Sequence, residues 1–353
     1  MIALVVGIVV VAMAGGALVG VALTADRARP TRAESTAPTH DRSGRARPTR
    51  AESTAPAHGR SGPVPADYVA IEKVPRVRRG PAAGNDRGSS GTYTARCGSN
   101  QEGHYNSDNV IVSPGVPNGA HHLHDYVGNT STSAASTDRS LAAAPTTCRD
   151  PGDRSAYYWP VLRDLVDPRT QARFPGESES DRNVGLVLRP AVSMVYSGNP
   201  FAPVTAMPRF LRVVTGNAKA LTAGGRNARA RWTCRGFADR VTADRYPLCP
   251  AGRGLTRILE FPSCWDGRNT DSANHRTHVV FPDARGACPP GTAAVPKLTI
   301  TLTYDVPAGA SFAIDSFPDQ RRAATTDHAD FVNVMVPGSM ARLVGCLNAG
   351  RRC

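Results

Sequence analysis

Glycine and proline recur along this whole chain, and their frequency constrains the fold more than any other feature of the sequence. The 353 residues include 33 Gly and 29 Pro, which interrupt most stretches long enough to form a helix. Helical bundles, coiled coils and helical solenoids are therefore excluded. Strands and loops remain, and we expect a mainly β protein.

Short apolar runs separated by Pro and Gly begin near residue 91 and have the pattern of β-strands. The clearest is KLTITLTYDV at 297–306, where aliphatic residues alternate with threonines as in a strand with one buried face. Only 339–349 has the apolar spacing of a helix. Further candidate strands are 110–112, 185–196, 210–214, 257–261, 278–281 and 331–336. This pattern predicts an antiparallel β-sandwich or jelly-roll-like domain over 91–353.

Two other segments precede this domain. Residues 1–25 are mostly apolar and resemble a secretory signal peptide or an N-terminal membrane anchor. Residues 26–90 contain a duplicated 18-residue repeat at 27–44 and 45–62, which has no Leu, Ile, Val, Phe or Trp. Because such a repeat cannot bury enough apolar surface to fold, we expect a disordered linker.

Eight cysteines between Cys97 and Cys353 indicate an oxidising compartment. None forms a CxxC pair, so disulfides are a better interpretation than a structural zinc site. We expect local pairing of Cys97 with Cys148, Cys234 with Cys249, Cys264 with Cys288, and Cys346 with Cys353. With the N-terminal segment, this predicts a protein that is secreted or held at the extracellular face of a membrane.

The net charge of +13 does not favour a nucleic-acid partner. Residues 26–90 carry 13 Lys or Arg against 7 Asp or Glu, so about half of the excess lies in the predicted linker. No helix-turn-helix, zinc-finger or RNP-like pattern accompanies the charge. An anionic surface such as a cell-wall polymer is a better expectation.

Six histidines lie in three short motifs that also contain aspartates. The motifs are AHHLHDY with His121, His122, His124 and Asp125, DSANHRTHVVF with Asp271, His275 and His278, and DHADF with Asp327, His328 and Asp330. These side chains can bind a divalent transition metal, or they can move protons without a metal. Three unrelated structural turns are the alternative.

Both functional interpretations predict that the motifs converge in one polar pocket. The candidate catalytic residues are His122, His124, His275, His278, His328, Asp271 and Asp330. The candidate ligands of a divalent metal ion are His122, His124, His278 and His328.

Aromatic residues with polar neighbours suggest a sugar-binding surface. Ring faces stack on the C–H surfaces of sugars, while nearby polar groups bind the hydroxyls. Core filling is the alternative for these rings. The candidate substrate-binding residues are Tyr158, Trp159, Trp265, Asp266 and Asn269.

The order of these motifs resembles the secreted domain family DUF1996 over about residues 105–346. The most specific block is CWDGRNTDSANHRTHV, and YYWP and HADF support it by their order. The family pattern maps onto His122, His124, Trp159, Trp265, Asp266, Asp271, His275, His278, His328 and Asp330. The chain departs from that pattern near 315–327, where SFPDQRRAATTD replaces a Gly- and Ser-rich stretch. Because the function of the family is not established, the resemblance implies site positions but no reaction.

We therefore expect a protein that acts on extracellular or cell-wall polysaccharide by hydrolysis or β-elimination, as a glycoside hydrolase or polysaccharide lyase does. The first alternative is a non-catalytic glycan-binding module with structural or metal-capturing histidines. The second is a surface-attached interaction protein, held at the membrane by its N-terminal segment.

Overall fold

The computed structural model describes residues 62–77, 84–165, 177, 181, 183–307 and 309–353. The predicted signal or anchor and nearly all of the repeat lie outside these residues. The described strands are β1 (Tyr68–Ala70), β2 (Thr92–Ala95), β3 (Tyr105–Asn106), β4 (His124–Gly128), β5 (Ala156–Pro160), β6 (Leu162–Asp164), β7 (Leu186–Leu188), β8 (Ala191–Ser197), β9 (Arg212–Gly216), β10 (Trp232–Cys234), β11 (Tyr246–Leu248), β12 (Leu255–Glu260), β13 (Cys264–Trp265), β14 (Val279–Val280), β15 (Ala293–Ala294), β16 (Lys297–Tyr304), β17 (Phe312–Ile314) and β18 (His328–Val332). The described α-helices are α1 (Asp138–Ala143) and α2 (Pro337–Asn348).

Two five-stranded antiparallel sheets contain most of the longer strands. In the first, the order is β10-β12-β16-β8-β2. Its central strand, β16, buries every second residue, as the alternation of aliphatic residues and threonines predicted. The predicted helix is also present as α2, which buries Met340, Leu343 and Leu347. The chain is thus mainly β, as expected, while the sandwich or jelly-roll arrangement stays a prediction.

The second sheet has the order β3-β4-β5-β18-β9, and its three central strands are buried along their whole length. Tyr157 and Phe331 project from one face into the main core, where their rings stack at 5.1 Å. Tyr126 and Tyr158 project from the other face into a smaller apolar cluster, stacked at 4.9 Å. Strands buried on both faces position their side chains rigidly, because neighbours surround each residue on every side.

All four predicted disulfides are present. They join Cys97 to Cys148, Cys234 to Cys249, Cys264 to Cys288, and Cys346 to Cys353. Four disulfides fit an extracellular protein. Neither helix in the described part of the chain has the length and apolar character to span a membrane.

Two sequence predictions need correction. Part of the predicted linker is folded, because β1 pairs with β11 and the following Ile71 is fully buried beside Cys234. The low apolar content of the repeat does not extend to this stretch. The predicted strand at 110–112 is a turn, because the side chain of Asn109 accepts the backbone N–H groups of Ile111 and Val112, both at 2.9 Å.

Candidate metal centre

Strands β4 and β18 bring two of the three histidine motifs together. His124 begins β4 and pairs with Pro160 of β5. His328 begins β18, two residues before Asp330, which pairs with Tyr158 on the other side of β5. Both histidines are therefore level with Pro160 and share one face of the sheet.

Three buried imidazole rings meet at this position. His122 Nε2 lies 3.0 Å from His124 Nε2 and 3.1 Å from His328 Nε2. The His122 ring is nearly perpendicular to the other two, at 83° and 86°. Three nitrogens bound tetrahedrally to one zinc ion at 2.0–2.1 Å would lie about 3.3 Å apart. The cluster therefore has nearly the spacing of a three-histidine metal site.

Backbone carbonyl groups fix the tautomers of two of these rings. His124 Nδ1 lies 2.8 Å from the carbonyl oxygen of Asp108, and His328 Nδ1 lies 2.8 Å from that of Thr326. Because a carbonyl oxygen only accepts hydrogen bonds, both Nδ1 atoms donate and both Nε2 atoms keep a lone pair. These lone pairs face His122, so the cluster presents electron pairs where a cation would lie.

Burial keeps the three rings neutral. It lowers the pKa of His124 to about 4 and that of His328 to about 3. The pKa of His122 also falls well below its usual value, first through burial and then through the neighbouring imidazoles. Neutral imidazole is the form that binds metals, so the rings are ready to act as ligands at neutral pH.

Two buried ion pairs hold the segments that carry these histidines. Arg163 donates to both oxygens of Asp315, at 2.8 and 2.9 Å, and Asp315 accepts the backbone N–H of Leu123, which lies between His122 and His124. Arg257 donates to both oxygens of Asp327, the residue before the third histidine. All four charged side chains are at most 1% exposed. Each of the two segments that carry the clustered histidines is thus held in place by a buried ion pair.

A cavity of about 440 Å³ opens onto the cluster. This volume lies within the range of small-molecule sites. His122 and His328 form part of its wall, with Phe317 packed edge-to-face against His122 at 5.5 Å. The other polar or charged residues of the wall are Asn109, Ser113, His121, Asn217, Lys219, Arg276 and Asp330.

Asp330 is the carboxylic acid of this cavity. Its Oδ2 accepts a hydrogen bond from Asn109 Nδ2 at 3.2 Å, while its Oδ1 has no hydrogen-bond partner among the residues that the structure describes. The side chain is completely buried, and burial raises the pKa of Asp330 to about 7. The hydroxyl group of Tyr158 donates to Asn109 Oδ1 at 3.0 Å and so holds the Asn109 amide in position to donate to Asp330. An acid with one uncommitted oxygen therefore lies beside the three histidines.

The second histidine motif does not join the cluster. Both ring nitrogens of His278 are engaged elsewhere, with Ser272 Oγ at 2.9 Å and the carbonyl oxygen of Arg212 at 2.6 Å. His275 pairs with Asp271 at 2.9 Å, and both are partly exposed. Contrary to the predicted convergence of all three motifs, His278 lies outside the cluster, because its lone pair and its N–H are used within its surroundings.

The same motif contributes Arg276 to the cavity instead. Arg276 Nη2 donates to the carbonyl oxygen of Gly216 at 2.7 Å, and the side chain lines the cavity wall. An arginine between two histidines has no distinguishing spacing, so the sequence pattern could not single it out. Asn109 was missed because the apolar residues that follow it have the appearance of a strand.

The aromatic residues predicted to bind sugar have other positions. Tyr158 and Trp159 have no exposed surface, so neither ring offers a face to a sugar. Trp159 belongs to the main core, and Tyr158 packs edge-to-face on His124 at 5.2 Å. The sugar-stacking role predicted for these two residues is corrected to core packing, because β5 is buried on both faces.

The CWDGRN segment forms a closed loop of its own. Trp265 Nε1 donates to the carbonyl oxygen of Asn269 at 2.7 Å. Asp266 accepts the backbone N–H groups of Arg268 and Asn269, both at 2.9 Å. None of these residues lines the cavity over the histidines. Sugar binding by Trp265, Asp266 and Asn269 stays a prediction, and it is separate from the histidine cluster.

Residues 109–334 match a family described as "Domain of unknown function (DUF1996)". The match includes all three histidine motifs and the cavity wall. No curated protein matches the chain. No solved structure matches it either.

Proposed function

This chain belongs to the DUF1996 family, and from the geometry of its histidine cluster we propose that it binds one divalent transition-metal ion and acts with it on an extracellular polysaccharide. The observation that carries the proposal is the convergence of three Nε2 atoms within 3.0–3.1 Å of one another along the two closest pairs. Two of these atoms have lone pairs fixed by backbone acceptors. Imidazole nitrogens without thiolates suit zinc, copper, nickel or iron.

The number of ligands favours a reactive centre over a structural one. Structural zinc sites usually have four protein ligands, whereas catalytic sites have three and keep one position open. Among the described residues, the cluster consists of His122, His124 and His328 alone. Two of these histidines border an open cavity, which gives a ligand access to the fourth position.

The residues around the cluster can support hydrolysis or β-elimination. A bound divalent ion supplies a Lewis acid and lowers the pKa of a bound water. The uncommitted Oδ1 of Asp330 can hold a proton or accept a hydrogen bond from a molecule in the cavity. Asn109 orients that carboxyl group through its own hydrogen bond. Both reactions require a proton acceptor beside the reacting bond, and Asp330 would supply it next to an ion held by the three histidines.

A polysaccharide substrate is supported by the setting of the site. The cavity is open, and nine of the fifteen residues that line it have polar or charged side chains that can bind hydroxyl groups. The four disulfides fit an extracellular protein, which meets polysaccharides outside the cell.

The proposal is tested by measuring metal binding to the whole chain. After treatment with a chelator, the protein is titrated with Zn²⁺, Cu²⁺ and Ni²⁺ by calorimetry, and metal content is measured by mass spectrometry. We expect one ion per chain. His328→Ala should weaken binding by more than about 100-fold, because loss of a ligand exceeds the 10–100-fold effect of losing an outer partner. The matched control His275→Ala should bind like the wild type.

Metal binding that is absent, or unchanged in His328→Ala, contradicts the proposed centre. The metal-loaded protein is then incubated with neutral and acidic polysaccharides, with and without chelator, and new reducing ends and unsaturated products are measured. Product that disappears with the chelator supports catalysis. Polysaccharide binding without product supports the non-catalytic binding module.

A further inference from the structure

The cavity over the histidines has an excess of positive charge. Its wall includes Arg276 and Lys219, while Asp330 is the one carboxylic acid among the described residues of that wall. Neither cation has a carboxylate within 4.0 Å in the described part of the chain, although most other buried or half-buried arginines of the site region are paired. Asp330 acts on Arg276 through space without a direct ion pair, so two cations face one carboxylic acid and the remaining positive charge favours an anionic ligand.

Arg276 is held so that part of its guanidinium group stays available. Its Nη2 donates to the carbonyl oxygen of Gly216 at 2.7 Å, which fixes the side chain at the cavity wall. Its Nε and Nη1 have no acceptor among the described residues. The backbone N–H of Arg276 is also anchored, to Ser272 Oγ at 3.2 Å. A half-buried arginine fixed in this way presents a planar pair of donors at low entropic cost.

Lys219 lies at the exposed mouth of the same cavity. Its Nζ is 4.8 Å from the centroid of the Phe317 ring, and that ring packs against His122. The lysine is exposed, so its ammonium group can turn toward a ligand without disturbing the core. The two cations therefore occupy different depths, Arg276 on the inner wall and Lys219 at the entrance.

We propose that the cavity takes a glycan that carries carboxylates, such as a chain of uronic acid residues, and that Arg276 binds one carboxylate beside the three-histidine centre. This inference rests on the proposed function, since it names the substrate class of that site. A carboxylate accepts two parallel N–H groups from a guanidinium group, which provides orientation as well as affinity. Lys219 binds a second carboxylate of the chain at the cavity mouth, as a mobile point charge.

The test uses a charged oligosaccharide and its uncharged derivative. Binding of an oligogalacturonate and of the same oligomer with every carboxyl group methyl-esterified is measured by calorimetry. We expect the acid to bind about 10–100-fold more tightly than the ester, the range expected for hydrogen bonds to charged groups. Inorganic phosphate and a glycerol phosphate oligomer are the third arm. Tighter binding of these phosphates than of the oligogalacturonate would overturn the assignment of a carboxylate.

Variants identify the residues responsible. Arg276→Gln should weaken binding of the acid about 10–100-fold and leave binding of the ester unchanged. Lys219→Gln changes an exposed position, where a substitution should not disturb folding. It should weaken binding of the acid about 2–5-fold, which is the effect expected for one exposed charge pair. Arg139→Gln removes a charge from an exposed position of α1, outside the cavity and outside the predicted sugar-binding segments, and is the matched control. Equal binding of acid and ester, or wild-type binding in both cavity variants, would overturn the proposal.

These measurements are made on both chelator-treated and metal-loaded protein. Preference for the acid in the metal-free protein supports the carboxylate subsite even when no metal binds, which would contradict only the proposed metal centre. Metal binding without any preference for the acid contradicts only the carboxylate subsite.

Discussion

Trp159 is completely buried, and this burial determines how much stability the protein should lose when the side chain is removed. The side chain has no exposed surface and packs within the main core. Trp159→Ala should therefore destabilise the protein by about 3–5 kcal/mol, through lost burial and the cavity left behind. Unfolding in urea, followed by circular dichroism, measures this loss.

Trp265 provides the comparison for Trp159. Its ring is only half-buried, in a loop that makes its own hydrogen bonds, so Trp265→Ala should cost clearly less stability than Trp159→Ala. If Trp159→Ala kept the stability of the wild type and instead lost sugar binding, the assignment of this residue to the core would be wrong.

At the scale of single residues, the sequence identified the three clustered histidines better than it identified their neighbours. His122 and His124 are two residues apart in AHHLHDY, and His328 has Asp327 before it and Asp330 two residues after it, so chemistry and spacing distinguished them. Arg276 and Asn109 act through contacts with residues far away in the chain, to Gly216 and Asp330. Such contacts leave no local pattern.

At the scale of elements, β18 depends on a buried ion pair just before its first residue. Asp327 is the carboxylate partner of Arg257, and both side chains are 0% exposed. Asp327→Leu should destabilise the protein by about 3–5 kcal/mol, because it leaves a guanidinium charge buried without its partner. It should also weaken metal binding, because it loosens the start of the strand that carries His328. Unfolding in urea and a metal titration measure the two effects.

A double variant separates the loss of the pair from a general loss of packing. Arg257→Met combined with Asp327→Leu removes both charges and should recover most of the stability lost in Asp327→Leu, because apolar replacement of a whole buried pair is often neutral. A double variant as unstable as the single one would show that the other hydrogen bonds of Arg257, to Pro160 and Tyr304, matter more than the charge.

At the scale of elements, the strand with alternating burial was easier to recognise than two of the strands that are buried throughout. Strand β16 has one buried face, and its alternation was visible in the sequence. Strands β4 and β5 are buried on both faces, so their residues do not alternate, and neither was predicted as a strand. Part of the sheet that carries the histidine cluster was therefore missed, although its strands β9 and β18 overlap the predicted runs at 210–214 and 331–336 and its histidines were found.

At the scale of the whole molecule, three of the four disulfides join a strand or helix to a loop, because Cys234 ends β10, Cys264 begins β13 and Cys346 lies in α2. The bond between Cys97 and Cys148 spans 51 residues and closes a long loop around β4. Thr147 donates to the carbonyl oxygen of Cys97 at 2.6 Å and accepts the backbone N–H of Gly128, the last residue of β4. The bond between Cys346 and Cys353 spans only 7 residues and holds the chain end against β2. In both bonds a cysteine pairs with the next cysteine along the chain, which is why the assumption of local pairing predicted them.

The difference in loop length predicts how much each of these two bonds contributes to stability. The entropy lost by the unfolded chain gives about 4 kcal/mol for a loop of 51 residues and about 2 kcal/mol for a loop of 7. Cys97→Ala with Cys148→Ala should therefore lower the free energy of unfolding about twice as much as Cys346→Ala with Cys353→Ala. Urea unfolding of both double variants without reductant measures the two losses. An equal loss of stability, or a larger one for the short loop, would mean that contacts in the folded state matter more than loop entropy. The backbone N–H of Cys353 donates to the carbonyl oxygen of Thr92 at 2.9 Å, and its carbonyl oxygen accepts the N–H of Thr94 at 3.1 Å. The short disulfide would then stabilise the protein mainly by keeping this pairing with β2 intact.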